Sequence, residues 1–204
     1  MELDQVLKEV RSVRKFKKLD VPWYLVSECL DAATYAPNAG NTQNWRFIVV
    51  RDLSKREAIV KACEDQKWLL NAPVLIVVCS DVDKISKMFG VRGEALYAVQ
   101  NCAAAIQNML LKAYELGLGS VWIGAFDEII IKQILEIKPE VRPQAIIALG
   151  FSDDHEKKPK REELNNVVFF EKYGDKEDKK RRKFLPIKDI LKEKLNKLVV
   201  EKKK

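Results

Sequence analysis

Residues 36–47, "APNAGNTQNWRF", crowd more side-chain amides together than a turn requires: Asn38, Asn41, Gln43 and Asn44, with Pro37, Ala39, Gly40 and Trp45 among them. An amide carries donors and an acceptor side by side, which matches the imide edge of a heterocycle or the hydroxyls of a polyol. The plainer alternative is an Asn-rich turn that bonds its own backbone. Trp45 is expected to pack at the start of a strand rather than stack on a ligand. In "RSVRKF", residues 11–16, Arg11, Ser12 and Arg14 combine guanidinium forks, a hydroxyl and backbone N–H groups suited to a phosphate. Alone, the segment also reads as a solvated basic connector. "KKPKR" at 157–161 carries the same choice, and the two would reinforce each other if they converged on one anion. In "SVWIGAF", 120–126, Gly124 and Ala125 follow an apolar run. Small residues there let a flat ligand approach the backbone and take hydrogen bonds from its N–H groups. A strand end with a glycine turn is the alternative.

Other chemistries lack their residues. No G-x-G-x-x-G follows a strand-like run, and neither a G-x-x-x-x-G-K-[ST] loop nor a G-x-S-x-G elbow occurs. The single histidine, His155, lies in a polar, lysine-rich stretch and is expected to be solvated, so a Ser–His or Cys–His nucleophile is not expected. Cys29, Cys63, Cys79 and Cys102 show no metal-ligand spacing and read as buried free thiols; no metal is expected. If the chain is an enzyme, a bound cofactor carries the reactivity. The net charge of +7 is unevenly placed: residues 172–204 carry 14 Lys or Arg against 6 Asp or Glu, leaving the first 171 residues near neutrality. A basic tail raises affinity for polyanions, but no stacking platform or recognition motif accompanies it, so a nucleic-acid role is a minor alternative.

The elements that must position these groups follow from periodicity. Helical spacing covers 3–10, 22–35, 53–64, 93–116 and 128–136. The 93–116 segment is apolar nearly all round and should be buried on most sides. Gly117 is placed for a left-handed cap, and Asp127 caps the helix that follows it. Strand-like runs at 45–50, 73–80, 120–126 and 144–151 alternate with the helices, which calls for a sheet with helices on both faces. Residues 176–183 read as an exposed linker into a terminal helix striped by Ile187, Ile190, Leu191, Leu195 and Leu198. No run is long enough to span a membrane and no secretory leader is evident, so a cytoplasmic protein is expected.

Taken in order, "RSVRKF", "APNAGNTQNWRF", "GLGSVWIGAF" and "ALGFSDDHEKKPKR" resemble the FMN-dependent nitroreductase family over roughly residues 4–165. Arg11, Ser12 and Arg14 match its Arg-Ser-x-Arg segment. Pro37, Asn41, Gln43 and Trp45 match its amide loop, with Asn38 in place of a usual Ser and Asn44 in place of a usual Pro. The resemblance implies an α+β fold, a central mixed β-sheet flanked by helices, in an intertwined homodimer with FMN at the interface. It implies that Arg11, Ser12, Val13 and Arg14, joined by Lys160 and Arg161, hold the phosphate and ribityl chain. Asn41 and Gln43 would reach the ring edge or ribityl from the partner, with Pro37, Asn38 and Ala39 covering the dimethylbenzene end. Ile123, Gly124 and Ala125 would lie along N5 and O4, and Gln66 and Lys67 on the pyrimidine side.

The implied reaction is ping-pong hydride transfer from NADH or NADPH, through flavin N5, to a nitroaromatic, quinone or related small-molecule acceptor. No protein acid or base is obligatory, and Arg14 and Lys67 would stabilise negative charge near N1 and O2. Specialised relatives performing reductive dehalogenation or flavin fragmentation are the alternatives within the family. The implied FMN-binding domain is 1–171, with 172–204 a basic extension of the same domain or one wrapping the partner.

Overall fold

Between residues 74 and 79 the sequence offers only Val, Leu, Ile and Cys, and a strand of that kind is stable only with both faces covered. The computed structural model, which describes residues 1–154 and 159–176, buries all six of these side chains completely. They form the centre of β2 (Val74–Asp81). Around it lie β1 (Trp45–Val50), β3 (Gly119–Ile123) and β4 (Val141–Gly150), in the spatial order β1-β2-β4-β3. All pairings among these strands are antiparallel. The sheet is thus antiparallel rather than mixed as expected; the parallel pairing of Ser12 with Ser120, beside β3, is an isolated bridge outside the strands. The α+β architecture itself is as expected.

Period-two alternation divides the core. Val74, Ile76, Val78, Ala145, Ile147 and Leu149 face one layer, packed against α2 (Trp23–Thr34) and α5 (Ala98–Glu115). Leu75, Val77, Cys79, Ile146, Ala148, Val121 and Ile123 face the other, which α3 (Leu53–Ala62), α6 (Glu128–Ile134) and a short 3-10 turn at Lys67–Asn71 cover. Each fully buried Leu or Ile contributes about 1.5–3 kcal/mol. α5 inserts Ala98, Asn101, Cys102, Ala105, Ile106, Met109 and Ala113 as one stripe. It ends as a Schellman motif: Gly117 at φ 77°, with the Leu118 N–H bonding the Ala113 carbonyl at 2.8 Å and the Gly117 N–H bonding Tyr114 at 3.0 Å. Asp127 caps α6 as expected, its Oδ1 accepting from the N–H groups of Ile129 and Ile130 at 2.9 and 3.0 Å.

α1 (Leu3–Glu9) precedes the arginine segment. α4 (Val82–Arg92) is an addition to the sequence reading. Its signals were present: Asp81 caps it through the Lys84 N–H at 3.0 Å, and its sole buried side chain, Ile85, sits where Ile85 and Phe89 share a face. Gly90, at φ 56° and ψ −148°, breaks the period and hides the helix, and a π-helical turn at Gly93–Tyr97 then leads into α5. The 93–116 run is thus two pieces.

The chain divides into two units, Met1–Glu156 and Lys157–Lys204. The first holds the sheet. In the second, α7 (Leu164–Val167) is followed by a turn in which Lys176 Nζ donates to the Asn166 carbonyl at 3.0 Å and stands 3.9 Å from the centre of the Phe169 ring. The expectations for His155, for the linker past residue 176 and for the striped terminal helix lie outside the described residues.

Candidate functional site

The arginine segment is pinned by its backbone. The Val13 N–H donates to the Ser120 carbonyl at 3.0 Å, and the Val13 side chain is buried against Gly119, where an added Cβ would lie 2.9 Å from Val13 Cγ1. The Val13 and Ile123 side chains are 5% and 4% exposed and pack in the core, and Val13 also lines a cavity together with Arg11, Gly119 and Ser120. Arg11 turns back, its Nη2 donating to the Asp154 carbonyl at 2.5 Å, while the Arg14 N–H donates to Asp154 Oδ2 at 3.2 Å. Asp154, only 7% exposed, was absent from the sequence reading; its role is to brace this segment. Ser12 and Arg14 remain exposed. Among the described residues no carboxylate pairs with the Arg14 guanidinium, which lies 6.0 Å from the centre of the Trp68 ring.

Contacts carry this region onward. Trp68 sits in the turn that follows Gln66 and Lys67, which in turn follows α3. Gln66 is half-buried; Lys67 is exposed and pairs with Asp65 at 3.5 Å, which partly spends its charge locally. The end of α3 meets the turn after β3, where the Asp127 N–H donates to the Ala62 carbonyl at 2.9 Å. In that turn Gly124 and Ala125 are exposed, and a Cβ built on Gly124 meets nothing within 4 Å. Arg14, Trp68, the 66–67 pair and the 124–125 backbone thus belong to one side of the sheet, the side covered by α3 and α6.

The amide loop lies elsewhere. It leads into β1, the opposite edge strand, and is held from the α5 side. The strand spacing puts at least about 14 Å between the two edges, with the covered sheet standing between them. Gly40, Asn41 and Gln43 all have positive φ, at 55°, 52° and 44°. Asn38 is used internally: its Oδ1 accepts from the Gln43 N–H at 2.9 Å and its Nδ2 donates to the Ala36 carbonyl at 3.2 Å. Here the self-bonded turn of the alternative reading is partly real. Asn41 and Gln43 are exposed, linked by Gln43 Nε2 donating to Asn41 Oδ1 at 2.9 Å, and Pro37 is exposed beside the half-buried Ala39. Asn44 is fully buried, so it cannot join an exposed ligand edge; Trp45 packs into the core as expected. Sequence reasoning passed over Asn101 of α5, whose signal was a lone Asn in "VQNCAAA" at a buried helical position.

In the second unit, Lys160 and Arg161 are exposed and border a shallow cavity of about 210 Å³ with Glu162, Glu163 and Asn166. The four cysteines are buried and unpaired. Burial pushes Cys29, Cys79 and Cys102 up to about 12 and Cys63 to about 11, so none is a nucleophile at neutral pH. Among the described residues no cluster of His, Cys, Asp or Glu could hold a metal, and no helix is long and apolar enough to cross a membrane.

Comparison with known proteins places these observations. The sequence model of the Nitroreductase family matches residues 7–68 and 61–151. A candidate NADH dehydrogenase/NAD(P)H nitroreductase of Methanothermobacter thermautotrophicus is 36% identical over 155 residues, covering 74% of this chain and 78% of the relative. An iodotyrosine deiodinase of Thermotoga neapolitana is 27% identical, with 79% of this chain and 95% of the relative covered. Among solved structures, an FMN-dependent nitroreductase of Clostridium difficile R20291 superposes with a TM-score of 0.72 at 28% identity, over 83% of this chain and 99% of that one.

Proposed function

The chain belongs to the nitroreductase family, and on that premise we propose that this NAD(P)H-dependent oxidoreductase binds FMN between two copies of itself and reduces nitroaromatic, quinone or related conjugated acceptors. The donor set fits FMN. An exposed guanidinium paired with no carboxylate among the described residues, with Ser12 two positions before it, suits a phosphate. The open backbone at Gly124 suits the close approach of a flat ring. Exposed paired amides suit its polar edge.

When bound, FMN supplies hydride acceptance from the nicotinamide and hydride return to the acceptor, in ping-pong order. The protein's part is to bind, orient and tune. Arg14 and Ser12 hold the phosphate, and Arg11 is braced beside them. The exposed backbone N–H groups at 124–125 would offer donors to the flavin ring. Arg14 and Lys67 favour negative charge on the pyrimidine side, with Lys67 weakened by Asp65. Asn41 and Gln43, beneath 37–39, approach from the partner. Residues 1–171 are the FMN-binding domain in this reading, and 172–204 its basic extension.

The observation that carries the homodimer is the separation of the two donor groups. They occupy opposite edges of the sheet and opposite layers, with a filled core between them. One chain cannot close both around one ring; two symmetric chains can supply one group each, twice. The test is direct. Purified protein should be yellow, dimeric and absorb near about 450 nm, and NADH or NADPH should bleach that band. A colourless monomer indifferent to added FMN overturns the reading. The deiodinase match supports reductive dehalogenation as a second reading, and turnover of iodotyrosine exceeding that of nitroaromatics would favour it.

A further inference from the structure

We propose that Asn101, on α5, is the positioning residue of the amide loop: its buried amide, joined to Asn44 and Thr42, holds the left-handed turn at 40–43 in the shape that meets FMN. The proposal rests on the FMN reading above and adds a residue that does not touch the cofactor.

The loop is a strained object. Left-handed backbone suits Gly40 and is tolerated by Asn41, while at Gln43 it is held in part by the N–H bond to Asn38 Oδ1 and the side-chain bond to Asn41. Such conformations persist when their surroundings over-determine them. Here a second restraint, beyond the loop's own bonds, comes from below. Asn101 Oδ1 accepts from the Ala39 N–H at 3.0 Å. Asn101 Nδ2 donates to Asn44 Oδ1 at 2.7 Å and stands 3.4 Å from Thr42 Oγ1, which itself donates to the Ala39 carbonyl at 2.9 Å. One helix side chain thereby fixes both ends of the turn. Asn101, Thr42 and Asn44 are 4%, 4% and 0% exposed, so water cannot substitute for these bonds.

Asn44 shows that the network is not there for stability alone. Its Nδ2 is buried without a hydrogen-bond partner, a cost that an apolar residue at this position would avoid. The position keeps an amide because Asn101 needs the Asn44 oxygen to satisfy its own Nδ2. With that nitrogen satisfied, Asn101 Oδ1 is held facing Ala39, and the carbonyl-to-amide order of the latch is fixed.

Two variants of the full chain test this, Asn101→Leu and Asn101→Asp. Leucine fills the space but makes no hydrogen bond. Aspartate keeps the acceptor for the Ala39 N–H, and Asn44 can turn its amide to donate Nδ2 to the new carboxylate. Two readouts are taken: the FMN dissociation constant by ultrafiltration, and hydrogen exchange at the Ala39 and Gln43 amides in protein freed of FMN. For Asn101→Leu the expected result is about tenfold weaker FMN binding, or about 1.4 kcal/mol, and about tenfold faster exchange at both amides. Asn101→Asp should restore both to within about threefold of wild type. Wild-type affinity and exchange in Asn101→Leu overturn the proposal. If Asn101→Leu does not fold, Asn101→Asp decides: wild-type behaviour supports the latch, and a folded protein with a tenfold loss overturns it. If wild type binds no FMN at all, the cofactor reading fails, and exchange at Ala39 still decides whether Asn101 holds the loop.

Discussion

The arginine segment beside β3 and the amide loop ahead of β1 both present donors, and they are built in opposite ways. The segment is near-extended backbone, pinned by the Val13 N–H to Ser120 and by Asp154, with its working charge left in solvent on Arg14. The loop is compact, left-handed at three positions, and held by side chains buried beneath it. One relies on a charge that reaches outward and is screened by salt. The other relies on shape, which only a packed interior maintains. A site drawn from both inherits two separate modes of failure.

Mixing chains breaks the comparison most sharply. Arg14→Ala should cost about tenfold or more in FMN affinity, the worth of a charge-assisted hydrogen bond, without altering the fold. A double Asn41→Ala, Gln43→Ala chain should lose affinity at the other end. Refolded together, the two chains should regain about one quarter of wild-type sites, because a mixed dimer rebuilds one intact site from undamaged halves. Activity titrated against FMN reads this out, and no recovery would show that both groups serve one chain. High salt should weaken wild-type binding but have little effect on what remains in Arg14→Ala.

Glycine substitutions separate charge from shape in stability. At Gly40 a Cβ would lie 2.7 Å from Met88 Sδ and 2.8 Å from Phe89 Cζ, on backbone already at φ 55°. Gly40→Ala should lower unfolding free energy by about 1–3 kcal/mol in a urea titration. Gly124→Ala, facing open space, should stay within about 0.5 kcal/mol of wild type in the same titration while crowding the bound ring. Equal effects at the two positions would show that the loop is not the strained partner.

The core between the two regions sets the alkaline limit. The four thiols ionise near 11 to 12 in the fold but near about 8.5 when unfolded. Their contribution is complete below about pH 8.5 and is lost as pH rises toward the folded values, because the unfolded chain releases its protons first. Melting temperature should therefore fall steadily above about pH 9, and native protein should resist thiol reagents at neutral pH. The smallest effect is expected at Glu128, whose carboxyl Arg142 holds below its ordinary range through a hydrogen bond. Its contribution is present above about pH 4.3 and is lost as pH falls. Both groups are more than a third exposed, so Glu128→Gln should cost no more than about 0.5 kcal/mol and leave FMN affinity unchanged.

Much of this was legible in the sequence. All four strands, the caps at Gly117 and Asp127, and the burial of Trp45 follow from periodicity and turn chemistry, which are local. So are the residue types of the two donor groups. α4 escaped because Gly90 interrupts a pattern too short to survive interruption. The inward packing of the Val13 and Ile123 side chains was not legible in the motif, which names positions and not the layer a side chain enters.

By itself, the sequence determined which chemistry this chain can offer: guanidinium, amide and bare backbone, with one histidine and four cysteines in no metal-ligand spacing. Only the tertiary structure decided who meets whom. Asn101 lies 57 positions from Asn44 and bonds it at 2.7 Å, while Arg14 and Gln43, 29 positions apart, end at opposite edges of the sheet. Helical and strand periods depend on neighbours a few residues away. Partners across the sheet are fixed by strand order and layer packing, which no local pattern encodes.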